Sequence, residues 1–319
     1  MQYSIISIIL FLLELLYFKI AVKLYIVDKP NHRSSHSRRT IRGGGIIFPI
    51  AVLIAFFLGH ASWAMTLAIV LVATVSFIDD IKPLSRLVRL GSHILAFLLV
   101  SLDLNLFMEA LWTMPIVLVL FIGWINAFNF MDGINGITVL YALTAIISFS
   151  LLPMHQLNLP LLITMGLACL VFGFFNVRKR AITFAGDVGS ISMALFLGYF
   201  MIKTILDTGQ IGYILFFALY GIDAVLTIVN RIRKRENIFL PHRSHLYQYL
   251  ANECGYSHII IAFIYAVLQL MINLFVIYLD GNRSLQLVEI TSLLVVLTLI
   301  YVTIRTVIFQ KFVLKKQIN

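Results

Sequence analysis

The sequence predicts an all-α protein that crosses a membrane many times, and three observations carry that reading. Of 319 residues, 61% are hydrophobic and 12% charged, about half the charged share of a soluble domain (~25%). Apolar runs, each near the ~20 residues a helix needs to cross hydrocarbon, follow one another along the chain. The cationic residues gather in alternate connections between those runs.

The runs lie at about 3 to 23, 43 to 59, 62 to 78, 89 to 102, 111 to 126, 134 to 153, 158 to 175, 188 to 206, 211 to 230, 257 to 279 and 287 to 309. They predict about eleven helices; the fourth and fifth are short and Pro115 interrupts one of them, so ten is the alternative count. The first run has no basic leader and contains Glu14 and Lys19, which reads as a retained helix and not a cleaved signal. Connections at 23–42, 82–89, 178–180, 231–243 and 311–316 hold 20 of the 24 Lys and Arg. Short loops rich in Lys and Arg stay in the cytoplasm, so the amino terminus is expected outside and the carboxyl terminus inside. The net charge of +10 then sits on the inner face, suited to anionic lipid or a phosphate-rich substrate and not to nucleic acid. Cys169 and Cys254 offer neither a disulfide framework nor a thiolate metal site. The longest polar connection is the stretch 231–256, so one transmembrane domain over 1–319 is expected.

Five polar stretches break this pattern. Asp28-Lys29-Pro30-Asn31-His32 leads through His36 to Gly43-Gly44-Gly45, where three glycines expose backbone N–H groups as the next helix begins, a geometry suited to an anion. Asp79-Asp80 closes the third helix; adjacent carboxylates at a membrane boundary repel and lose hydration, which a divalent cation or a shifted proton affinity relieves. Asn126-Ala-Phe-Asn129-Phe-Met-Asp132-Gly133 places polar groups every three residues, which a helix brings to one side, and Gly133 and Gly136 permit close approach. Asp187, between Gly186 and Gly189 with Ser190 beyond, reads as an N-cap or as a carboxylate with room for a metal and its phosphate. Finally His242-Arg243-Ser244-His245 packs imidazoles and a guanidinium into four residues, able to hold hydroxyls and a diphosphate. All five fall on the expected cytoplasmic boundary. Acid groups for a hard cation, basic groups for phosphates and glycines for close approach are what phosphoryl transfer between a soluble nucleotide and a membrane lipid requires.

At these motifs the chain resembles the polyprenyl-phosphate N-acetylhexosamine-1-phosphate transferases, relatives of phospho-MurNAc-pentapeptide translocase and of the enzymes that begin O-antigen and common-antigen synthesis. The matching stretches run in the family's order from Asp28 to Gln248, and His242-Arg-Ser-His245-Leu-Tyr-Gln248 is similar to the O-antigen-initiating branch. Two departures stand out: Asn135 where many relatives have Asp, and a segment from Asn176 to Phe184 that lacks the usual Pro and is one residue longer.

The resemblance implies that undecaprenyl phosphate attacks the sugar-linked phosphorus of a UDP-N-acetylhexosamine and releases UMP in the bacterial inner membrane, with Mg²⁺ as cofactor and Mn²⁺ able to substitute. It implies Asp187 as the metal ligand and Asp79 and Asp80 at the lipid phosphate. Asn129, Asp132 and Asn176 would contact the nucleotide, Phe184 would stack on uracil, and His242, Arg243 and His245 would bind diphosphate or sugar. Asp28 and Lys29 would lie at the same mouth. The rival readings are a transporter or flippase of lipid-linked sugar, a lipid phosphatase and a lipid-I-type translocase. The oligomeric state is open, a homodimer included, and so is the identity of the sugar.

Overall fold

A computed structural model describes residues 1–28, 30, 39–108, 111–237, 242–282 and 286–314. Lys29 and the segment 31–38, with His32 and His36, lie outside the described residues.

Each expected apolar run is a helix. Among the described residues the long helices are α1 (Gln2–Lys23), α2 (Ile47–Phe57), α3 (Trp63–Ile81), α4 (Arg86–Asp103), α5 (Met114–Phe130), α6 (Ile137–Ser150), α7 (Leu159–Asn176), α8 (Gly186–Thr208) and α9 (Ala218–Arg233). A three-residue helix α10 (Leu246–Gln248) precedes α11 (His258–Asn282) and α12 (Leu287–Ile308). Seven helical segments are long and apolar enough to cross a membrane, and the apolar helices 44–57, 114–130 and 137–150 are shorter. Pro115 does not interrupt a span. It sits in the first turn of α5, where its missing N–H costs nothing. Ser62 and Ser85 start α3 and α4 by accepting hydrogen bonds from the N–H groups of Met65 (3.2 Å) and Val88 (3.4 Å). The only ladder among the described residues is β1 (Val27–Asp28) against β2 (Thr40–Ile41), antiparallel, and Ile41 also bridges to Thr183.

Helix α8 is the axis of the bundle, packed by α2, α3, α5 and α6 and buried along most of its length. In hydrocarbon no water is expelled when helices meet, so small residues and interhelical hydrogen bonds must hold them. Trp124 of α5 fits against Gly198 of α8, where a Cβ would lie 2.8 Å from the indole nitrogen, and donates to the Ala194 carbonyl at 2.7 Å. A 3₁₀ turn over 211–217 gives way to α9, leaving backbone groups that lipid cannot satisfy. Gln269 of α11 satisfies them, accepting from the Leu219 N–H (3.0 Å) and donating to the Leu215 carbonyl (2.8 Å). The far side of α12 exposes Val295, Val296, Leu299 and Ile300, as a lipid-facing helix should.

Up-and-down succession brings the carboxyl ends of α1, α3, α5, α7 and α9 to one end of the bundle, together with the amino ends of α2, α6 and α8. Four of the five polar stretches, with the described part of the fifth, lie at that end.

Candidate active site

The centre of the site is a pair of carboxylates with a guanidinium between them. Asp80, in the last turn of α3, accepts from the N–H groups of Asp187 and Val188, each at 3.2 Å. It thereby caps α8 from another helix, satisfying donors that the first turn leaves without partners and meeting the positive end of the helix dipole. Gly186 permits this, since its φ is +70° and a Cβ there would lie 2.5 Å from Asp80 Oδ2. Arg42 Nη2 stands 2.7 Å from Asp80 Oδ1 and 3.9 Å from Asp187 Oδ1. The Asp80 side chain is fully buried, whereas that of Asp187 keeps 25% exposure. Asp80 is thus engaged on all sides, and Asp187 is the carboxylate left open to a ligand.

Asn129, in the last turn of α5, accepts from the Ser190 hydroxyl (2.7 Å), and its side chain also hydrogen-bonds Asp187. The helix stops at Phe130, so Asp132 lies in the turn beyond it and not on the helical face that its spacing predicts. Thr138 donates to Asp132. Burial pushes the Asp132 carboxyl up to about 6 against the opposing Thr138 bond, and the charge of Asp187 adds to the rise, so the two carboxylates share one electrostatic environment.

Asp79 takes other partners, the Leu84 N–H and Arg89 Nη1 at 3.2 Å. Asp28, in β1, acts on Arg42 through its charge. Phe184 is half-buried, its N–H bonded to the Ile41 carbonyl (2.8 Å) and its carbonyl to the Gly44 N–H (2.9 Å). Asn176 is buried and its amide is spent on backbone, accepting from Gly136 N–H (2.7 Å) and donating to the Thr183 carbonyl (2.8 Å). It closes the 176–184 connection.

The glycines do not serve as the sequence predicts. The N–H groups of Gly44 and Gly45 are bonded to the carbonyls of Phe184 and Ala185 and are not free for an anion. A Cβ on Gly45 would lie 2.3 Å from the Gly189 Cα. Gly45 and Gly189 therefore let the turn seat on α8, and the space expected around them for a phosphate is filled by backbone. Behind the turn lies Glu14, buried, with neither oxygen hydrogen-bonded; a Cβ on Gly44 would meet it at 2.9 Å.

The histidine loop packs on the Asn126–Gly136 stretch. A Cβ on Gly133 would lie 2.2 Å from the Tyr247 hydroxyl, which donates to the Phe130 carbonyl at 2.9 Å. His245 is buried, its Nδ1 at 3.1 Å from Asp223 Oδ1, and Asp223 also accepts from the hydroxyls of Tyr301 (2.8 Å) and Tyr265 (3.0 Å). Asp223 takes the Nδ1 side of the His245 ring, and Nε2 on the other side is buried with no hydrogen-bond partner. The His242 and His245 rings are 5.0 Å apart. Burial, and then the neighbouring His245, pushes the His242 imidazole down to about 4. Arg243 is exposed and lies 3.7 Å from Glu253.

Among the described residues no three His, Cys, Asp or Glu side chains form a cage for a metal ion. Magnesium rarely needs one, taking one or two carboxylates and completing its shell with water and substrate phosphates. The exposed edge of Asp187 beside Asn129 fits that pattern. Arg42 escaped singling out because it stands in a basic loop where every cation has a topological explanation; its position directly before the glycine triplet is the signal that marks it. Thr138 carried no signal.

An apolar helical bundle whose acidic and basic side chains converge on one another at one end defines a multi-pass membrane protein with a polar site. The glycosyl transferase family 4 profile matches residues 62–205. The chain is 28% identical over 291 residues to the undecaprenyl-phosphate alpha-N-acetylglucosaminyl 1-phosphate transferase of Escherichia coli O157:H7, covering 80% of this chain and 77% of that one. It is 26% identical to a probable undecaprenyl-phosphate N-acetylglucosaminyl 1-phosphate transferase of Bacillus subtilis (strain 168), with 75% and 73% covered. It is 27% identical to the decaprenyl-phosphate N-acetylglucosaminephosphotransferase of Mycobacterium leprae (strain TN), again with 75% and 73% covered. Over most of its length the chain is thus similar to polyprenyl-phosphate N-acetylglucosaminyl 1-phosphate transferases, the likeness that its motifs imply.

Proposed function

We propose that this chain transfers an N-acetylhexosamine 1-phosphate from a UDP-sugar to undecaprenyl phosphate at the cytoplasmic face of the bacterial inner membrane. The observation that carries the reading is the convergence of Asp80, Asp187 and Arg42 with Asn129 and Asp132 at one end of an apolar bundle. An oxygen of the lipid phosphate attacks the sugar-linked phosphorus, and the bond to the UMP oxygen breaks. Arg42 offers positive charge where phosphates meet, and Asp80 holds α8 so that Asp187 faces the ligands. Asp79 orients Arg89 toward the lipid phosphate. Asp187 would hold Mg²⁺, or Mn²⁺ in its place, which neutralises charge on the phosphate oxygens when bound.

Asn129 and Asp132 contact the nucleotide, Phe184 stacks on uracil, and His242, Arg243 and His245 bind the diphosphate or the sugar. Asp28 stands at the mouth beside Arg42, and Asn176 acts by shaping the loop that presents Phe184. The product is the first lipid-linked sugar of an O-antigen or another surface polysaccharide. Purified protein given radiolabelled UDP-N-acetylglucosamine, undecaprenyl phosphate and Mg²⁺ should form labelled lipid and UMP in equal amounts, and EDTA should stop it. Movement of preformed lipid-linked sugar with no UMP released would instead make the chain a transporter.

A further inference from the structure

Helices α9 and α12 leave a groove of about 510 Å³ between them. Leu226, Val229 and Val302 line it along the helices, and Arg233, Lys234 and Arg305 line it in and just beyond their last turns, at the end of the bundle that holds the site. No acidic residue lines the groove, and among the described residues none of the three cations is paired with a carboxylate. Lys234 Nζ lies 5.0 Å above the Phe309 ring, which leaves its charge available. Three cations side by side at the end of an apolar trough repel one another unless an anion joins them.

The groove also touches the histidine loop. Arg305 donates to the Ser244 carbonyl at 3.0 Å, and Tyr301 donates to Asp223, the residue that holds His245. Whatever fixes Arg305 and Tyr301 steadies that loop.

We propose that the groove binds one anionic phospholipid of the adjoining leaflet, its phosphate on Arg233, Lys234 and Arg305 and an acyl chain along Leu226, Val229 and Val302. A guanidinium fork matches phosphate oxygens, and a choline headgroup would bring a fourth cation among three. The bound lipid favours the loop position seen here and raises turnover of the proposed transferase. The turnover half rests on that reading, and the binding half does not.

The full chain is tested in nanodiscs of phosphatidylcholine with increasing phosphatidylglycerol, and by native mass spectrometry of the lipid it retains from detergent. Phosphatidylglycerol should saturate at one molecule per chain. Arg233→Gln with Lys234→Gln should weaken retention about thirtyfold, the worth of two surface cations toward anionic lipid. It should also flatten the rise in turnover while leaving turnover in pure phosphatidylcholine unchanged. Leu226→Trp, which fills the groove without altering charge, should do the same, so a folding defect of one variant leaves the other to decide. Unsaturating retention, retention unchanged in both variants, or displacement of phosphatidylglycerol by one equivalent of undecaprenyl phosphate would each overturn the proposal, the last by giving the groove to the acceptor. Should the chain transfer no sugar phosphate, the retention measurement still stands on its own.

Discussion

The two ends of the bundle treat buried charge in opposite ways. At the end away from the site, Asp103 accepts from the hydroxyls of Ser62 (2.7 Å) and Tyr199 (2.8 Å), Asp207 pairs with Lys203 (3.2 Å), and Asp280 accepts from Tyr213. Each of these carboxylates has its own partner, and among the described residues the buried polar atoms left over at that end are the Ser101 hydroxyl and one nitrogen of His155. At the site end Asp80 and Asp187 share one arginine, and both a carboxyl, Glu14, and the Nε2 of His245 have no partner. Pairing hydroxyls with acids holds helices together. Crowding acids around one cation costs stability and is kept where charge is to be bound.

The contrast is sharpest at Asp187. Asp187→Asn should lower turnover at least about a hundredfold, the scale seen when a group that stabilises transition-state charge is removed, while the melting temperature holds or rises because one crowded charge is gone. A variant with near-normal UMP release would remove Asp187 from the metal site. Asp80→Ala should lose both properties. It leaves Arg42 unpaired and the first turn of α8 uncapped, with the cap alone worth about 1 kcal/mol, so unfolding should shift along with turnover. If its stability matched that of the wild type, Asp80 would be an active-site acid only.

At the quiet end, Asp103→Ala should cost about 1–3 kcal/mol by leaving two hydroxyls without an acceptor, with turnover changed less than about twofold in an assay well below the melting point. A large loss of turnover there would collapse the distinction between the ends. Gly133→Ala should reduce turnover about tenfold by pushing the histidine loop away, an interaction energy of ~1.4 kcal/mol. Adding Tyr247→Phe, which removes the atom met at 2.2 Å, should restore part of it. Failure of any rescue would separate the loop from the Asn126–Gly136 stretch. The smallest effect concerns pH. His242, held near 4 in the fold against an ordinary 6.5, binds its proton more readily unfolded, so its contribution to stability is intact above about 6.5 and declines as pH falls toward 4. Its imidazole resonances, followed by NMR, should not titrate between pH 6 and 8.

Most of the fold was legible because the bilayer imposes one rule on every span, apolar length, and the runs obey it. Pro115 misled because the same residue breaks a helix in its interior and suits its first turn. That Asp80, Asp132 and Asp187 gather at one end was legible because alternating basic loops mark which ends of the spans share a side, whereas the structural carboxylates Asp103, Asp207 and Asp280 fall in the connections of the other side. The glycines were not, since sequence shows that something comes close but not what: at Gly45 it is α8, and at Gly133 a tyrosine. The tie from Asp223 to His245 spans 22 residues, with no periodicity to announce it.

Asp80 joins the end of one helix to the start of another through both of its oxygens. A ligand that draws on that carboxylate must therefore loosen the seam between α3 and α8, so a ligand beside Asp187 and Arg42 would be felt as a change in how freely two spans slide past each other. Hydrogen exchange at the amides of Asp187 and Val188, with and without nucleotide, would read that movement directly.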